Sequence, residues 1–169
     1  MILHRSPSFS TDYGEKRGIF MLQIGVWEHC EGLAEQVARM AEGIGLVRAC
    51  SHPALLAGVS LDLLIVSPGA TGWAGVSSLS CRTALLPGNL FALTRAMPPW
   101  PAVTYGTSPR STITLSSLAE GRAAVAIQRE FLTLDGRPVE RQELVLPCPH
   151  TSPDLLLVQV GTALLLGKI

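Results

Sequence analysis

Three short runs carry side chains able to do chemistry: Glu28-His29-Cys30, Cys50-Ser51-His52 and Cys148-Pro149-His150. Thiolate and imidazole are good ligands for Zn2+ and similar ions, and cysteine beside histidine can form a nucleophile pair. One reading is therefore a small metal- or cysteine-dependent enzyme built on the Glu28-His29-Cys30 and Cys148-x-His150 loops, with His29, Cys30, Cys148 and His150 as candidate metal ligands. Against it, no C-x-x-C pair or other established ligand spacing occurs, and scattered Cys and His are more often structural. Cys50-x-His52 repeats the Cys-x-His spacing, so two such pairs would supply four ligands, yet His52-Pro53 equally well starts a loop and a helix. Cys81 reads as a buried structural thiol.

Other candidates sit in loops. Thr107 to Ser111 is a polar turn in which Arg110 and neighbouring hydroxyls could hold an anion, although a solvated turn has the same composition. In Pro68 to Gly75 (PGATGWAG) the glycines would allow close approach of a ligand and Trp73 could stack on it; ligand-free loops look alike. Across Gln128-Arg129-Glu130 a strand alternation would expose the outer two and turn Arg129 inward, although an exposed edge is the simpler reading.

The elements that must position these residues follow from periodicity. Phe20 to Trp27 is an apolar run of strand length. From Glu31 to Gly45, Leu33, Val37, Met40, Ala41 and Ile44 share a helical face, and Gly43 and Gly45 end it. A strand should then return. Leu61 to Ser67 reads as a strand buried on both faces, and Thr83 to Leu86 as a shorter one stopped by Pro87-Gly88. Asn89 can cap a helix over 90–97. Beyond the rigid Pro98-Pro99-Trp100-Pro101 the pattern becomes β-rich, over 102–105, 111–118, 123–134 and 139–146, with Asp135-Gly136 as a hairpin turn. Ser152 or Asp154 opens a last helix reaching about Leu166, with Pro153 in its first turn. The expected fold class is α/β: a three-layer, Rossmann-like, mainly parallel sheet with an antiparallel extension and a closing helix.

A chain of 169 residues, 47% hydrophobic, suits one globular domain, expected over 19–169 behind a flexible polar arm at 1–18. Met1 and Met21 both remain open as the natural start. With 13 basic and 13 acidic residues, no charge footprint points to nucleic acid or an acidic membrane. The longest apolar stretch, Leu155 to Gly167, is shorter than the ~20 residues that span a bilayer, and the N-terminal residues lack the apolar core of a secretory signal. A cytoplasmic protein with four reduced cysteines is the expectation.

The order of these elements, with several local strings, resembles the central ATP-binding domain of the Mur ligase family. Ile24-Gly25-Val26 and Leu33 to Leu46 look like the family's first strand and helix. Asp62 to Val66 (DLLIV) is similar to its carboxylate-bearing strand, and Val103 to Gly106 (VTYG) to the strand ending in an aromatic-Gly pair. Val145 to Gly167 is similar to the approach to its last helix. The resemblance covers Ile19 to the C-terminus, but where the family has a phosphate loop of the type GTNGKTT this chain reads Trp27-Glu28-His29-Cys30-Glu31-Gly32-Leu33. An ungapped match puts Gly32 at the lysine and Leu33 at the Mg2+-binding hydroxyl, and sets Glu28 and Glu31 facing the phosphates. The family's His-Asn is His150-Thr151, its adenine-contacting Asn falls near Asp154, and the only lysines, Lys16 and Lys168, lie at the ends.

The resemblance thus implies a degenerate, non-catalytic binding or interaction module, with no ATP-dependent ligase activity and no cofactor. Its partner is expected to be a protein or a small metabolite, and self-association is left open. It also implies that the loop after the first strand approaches the loop before the last helix. With Trp73 and Arg110 from the two loops above, the candidate ligand-binding set is Glu28, His29, Cys30, Trp73, Arg110, His150 and Asp154.

Overall fold

The computed structural model describes residues 21–71, 79–89, 98–148 and 152–169. The expected N-terminal arm, the helix over 90–97, Trp73 and His150 lie outside them. Strand β1 (Leu22–Trp27) and the apolar run predicted at Leu61 to Ser67, now β3 (Ser60–Val66), are paired in parallel, Val26 opposite Ile65. On the other side of β1 lies β2 (Gly45–Cys50), also parallel. From β3 the sheet continues in parallel through β4 (Ser80–Pro87), β5 (Ala102–Tyr105) and β6 (Ile113–Ala119). Antiparallel β7 (Arg122–Ile127) follows. After a two-stranded ribbon of β8 (Phe131–Leu132) and β9 (Pro138–Val139), β10 (Gln142–Pro147) returns beside β7 as the last strand. The sheet order is β2-β1-β3-β4-β5-β6-β7-β10. The expected α/β class, mainly parallel sheet, antiparallel extension and closing helix are all present.

Helices α1 (Leu33–Met40) and α2 (Pro153–Leu165) join one core with Ile24, Val26, Leu63, Ile65, Leu85, Val103, Tyr105 and Ile113. Ser152 caps α2, its hydroxyl accepting from the Leu155 amide at 3.3 Å, and Pro153 fills a position that needs no N–H. Buried Gly161 lets α2 close on the sheet: a Cβ there would stand 2.9 Å from a Leu85 methyl and 3.2 Å from Ile113. A second cluster joins Trp27, Leu64, Val66, Ala84 and Leu86 with Leu56 of a 3-10 turn, Pro53–Leu56. Burial on both faces explains why β3 reads as an unbroken apolar run rather than an alternating one.

Three boundaries differ from the sequence expectation. The first helix stops at Met40, not Gly45, because the Ile44 and Gly45 amides both turn back to the Ala41 carbonyl around Gly43 at φ 76°. The stretch expected over 123–134 breaks after Ile127. The Gln128 amide makes a last bond to the Thr112 carbonyl, the chain then bends out of the pleat, and Arg129 is exposed, in line with the simpler of the two readings of this segment. Asp135-Gly136 does form a turn, with Gly136 at φ 86°, but it joins the small strands β8 and β9, while β7 pairs with β10.

Candidate functional site

In this strand order the chain leaves β1 for β2 on one side and reaches β3 on the other. The crevice beyond the carboxyl ends of β1 and β3 is therefore the topological switch point, where open α/β sheets hold ligands. Two loops meet there, 28–32 after β1 and 67–71 after β3. Backbone bonds extend the ladder into both: the Glu28 amide to the Cys50 carbonyl at 3.0 Å, and the Ser67 amide to the Trp27 carbonyl at 2.9 Å.

Glu28 turns back onto α1. Its two carboxylate oxygens accept from the Leu33 and Ala34 amides at 2.8 and 2.9 Å. Gly32, the residue at the cap position, lies at φ 72° and has no side chain to do so. Glu31 reaches across the crevice. One oxygen accepts from the Ser67 hydroxyl at 2.7 Å and the Gly69 amide at 3.1 Å, the other from the His29 amide at 2.5 Å. Gly69 makes this approach possible, since a Cβ there would collide with the carboxylate. Partial burial pushes the Glu31 carboxyl up, but the Ser67 hydroxyl and the His29 and Gly69 amides outweigh it and hold it below its ordinary value.

A helix N-terminus and converging backbone amides are what a phosphate loop offers its ligand. In this chain the two leading amides of α1 and three donors of the crevice are already engaged by carboxylates. Hydrogen bonds to charged groups are each worth about 1.5–3 kcal/mol, so a phosphate would have to displace several such bonds and also face two negative charges. The sequence pattern indicates repulsion alone; the folded arrangement adds occupation.

One strand further along the same edge is a cavity of about 100 Å3 lined by Pro68, Pro87, Asn89, Tyr105, Gly106, Thr107, Ser108, Ser111 and Asp154. Tyr105 is buried, and its hydroxyl donates to the Val66 carbonyl at 2.6 Å, bracing β5 against β3. Burial first, then the carboxylates of Asp154 and Glu31, raise its pKa far above the ordinary phenol value. Ser111 is 1% exposed, and its hydroxyl has no hydrogen-bond partner among the described residues.

The sequence-derived candidates separate accordingly. Glu28 and the crevice loop form one cluster, with His29 and Cys30 on its exposed side and Cys30 at φ 61°. Asp154 lines the cavity, and its carboxylate, like that of Glu31, acts electrostatically on Tyr105. Arg110 is exposed in its turn, where its amide donates to Ser108 Oγ at 3.3 Å. Cys148 is buried at the end of β10, six strand positions from β1, and Cys50 ends β2 at the opposite edge of the sheet. His52 is engaged locally, its Nδ1 accepting from the Ala54 amide at 3.1 Å as the cap of the 3-10 turn. Among the described residues no three His, Cys, Asp or Glu side chains are grouped so as to hold a metal ion. Burial raises the Cys50 and Cys81 thiols to about 11, leaving them inert near neutrality.

Sequence reasoning did not single out Ser67, Gly69, Tyr105 or Ser111 individually: Gly69 entered with the glycines of Pro68 to Gly75, Tyr105 with the VTYG string and Ser111 with the hydroxyls beside Arg110. Ser67-Pro68-Gly69 directly after a doubly buried strand was the available signal for the first two; nothing in spacing marks Ser111. No family model matches the chain, and no curated protein matches it. No helix among the described residues is long and apolar enough to cross a membrane.

Proposed function

We propose that this chain is a non-catalytic binding domain on a Mur-ligase-like scaffold, in which the place of a nucleotide phosphate is held by the protein's own carboxylates. The observation that carries the reading is the paired engagement of Glu28 with the α1 amides and of Glu31 with Ser67, Gly69 and His29. A site so satisfied has no donors left to stabilise a transferring phosphoryl group, and catalysis of that transfer depends on such donors. What remains is a rigid sheet edge presenting loops and a cavity, suited to a protein or small-metabolite partner; the balance of 13 basic and 13 acidic residues argues against nucleic acid. Calorimetry with MgATP tests this: no heat of binding is expected at millimolar ligand. Robust ATP turnover, abolished when the 28–31 loop is changed, would overturn it.

A further inference from the structure

The cavity beside α2 differs from the crevice in having polar groups left over. The Ser111 hydroxyl lines it, is almost wholly buried, and has neither donor nor acceptor among the described residues. Leaving a buried hydroxyl unpaired is costly, so such a group marks a place where a partner atom belongs. Glycines flank it. A Cβ on Gly88 would collide with Ser111 Oγ, and one on Gly106, at φ 147°, would stand 3.5 Å from it. Glycine at both positions lets the backbone lie against the hydroxyl with no side chain crowding it.

Charge selects the ligand. Asp154, on the first turn of α2, lines the cavity without a hydrogen-bond or ion-pair partner among the described residues. Glu31 adds a second negative charge close enough to act, with Asp154, on Tyr105. Among the described residues no lysine or arginine lines the space. An anion is therefore disfavoured despite the nearby helix N-terminus, and a cation is favoured. The cavity is small, about 100 Å3. It admits a primary ammonium on a short stem but not a trimethylated one in an aromatic cage, and Pro68 and Pro87 supply apolar wall for the stem.

We propose that this cavity is a binding site for a primary ammonium group, held by the Asp154 carboxylate and the Ser111 hydroxyl. An ammonium brings three donors, which suit a carboxylate and a hydroxyl oxygen. The proposal rests on the binding-domain reading and names its ligand class. The group could belong to a small amine or to a lysine tip of a partner, and the same chemistry receives either.

The test is titration of the full chain, by calorimetry and by amide chemical shifts, with ethanolamine, Nα-acetyllysine, ethylene glycol and MgCl2 as separate probes. Saturable millimolar or tighter binding is expected of at least one amine, the preferred probe telling a free amine from a lysine tip. Asp154→Asn should weaken it at least about tenfold and Ser111→Ala by a smaller factor, with both variants keeping the wild-type melting profile. No saturation by either amine, equal binding of ethylene glycol, binding of Mg2+ in place of the amines, or amine binding insensitive to both substitutions would each overturn the proposal. MgATP turnover in the same preparation would overturn the binding-domain reading alone, and amine failure without ATP binding would overturn the ammonium site alone.

Discussion

The crevice beyond β1 and β3 and the cavity beside α2 lie on the same edge of the sheet, and Tyr105 is within electrostatic reach of both. In the crevice every charge-bearing oxygen of Glu28 and Glu31 has a donor, and the loops on either side are tied together. In the cavity Ser111 and Asp154 have no such partners among the described residues. The difference teaches where interaction energy has been committed to folding and where it is left for a ligand. Groups already satisfied stabilise the chain; groups held apart by a rigid frame stabilise whatever enters.

The comparison can be broken most directly at Glu28. Glu28→Ala removes both acceptors from the start of α1 and should lower unfolding free energy by about 2 kcal/mol, the upper range for loss of a helix cap. Urea titration measures it, and Glu28→Gln should recover part of the loss. A change near zero would mean that water serves the Leu33 and Ala34 amides equally well.

A somewhat smaller effect is expected at Gly69. Gly69→Ala should cost about 1.5 kcal/mol by driving the Glu31 carboxylate out of the crevice. If that is the cause, the penalty should largely vanish in a Glu31→Ala background, whereas independent sites would add.

Acid sharpens the same point. Glu31 has a folded-state pKa below its ordinary 4.5, so its contribution is complete above that value. It is lost as pH falls from there through the depressed folded value. The stability gap between wild type and Glu31→Gln should therefore narrow on acidification, as followed by thermal melts across acidic buffers; a gap constant in acid would assign it to packing.

The smallest and most discriminating contrast pairs two serines. Ser67→Ala, which strips a donor from Glu31, should cost about 1 kcal/mol, whereas Ser111→Ala should lie within about 0.5 kcal/mol of wild type or stabilise slightly. Equal losses would show that the two hydroxyls are alike in the unliganded protein.

Much of the fold was legible because its strongest signals are local. The span predicted at Ala102 to Tyr105 is β5 itself, β1 and β3 were visible as apolar runs, and Ser152-Pro153 marks the start of α2. β2 was expected only as a returning strand because it is an edge strand paired on one side. Its mixture of exposed Leu46, Arg48 and Ala49 with buried Cys50 has no clean period. The early halt of α1 depends on Gly43 adopting a positive φ two residues before the glycine that begins β2, and periodicity runs straight through both. At the site, the residue types of Glu28 and Glu31 already argued against phosphate. Their partners did not follow, because Ser67 and Gly69 lie 36 and 38 residues from Glu31 and meet it only through the β1–β3 pairing. The polar turn before β6 drew attention to its cation, Arg110, whereas folding turns the next residue, Ser111, inward.

The tie from Glu31 to Ser67 and Gly69 has one more consequence. Because donor and acceptor belong to one chain, the crevice is saturated at an effective concentration fixed by the fold and not by the surrounding solution. Its stabilisation cannot be diluted away, and phosphate or nucleotide in the medium should leave the melting temperature unmoved. A shift in melting temperature on screening small compounds would then report on some other part of the surface, which makes the crevice a built-in silent background.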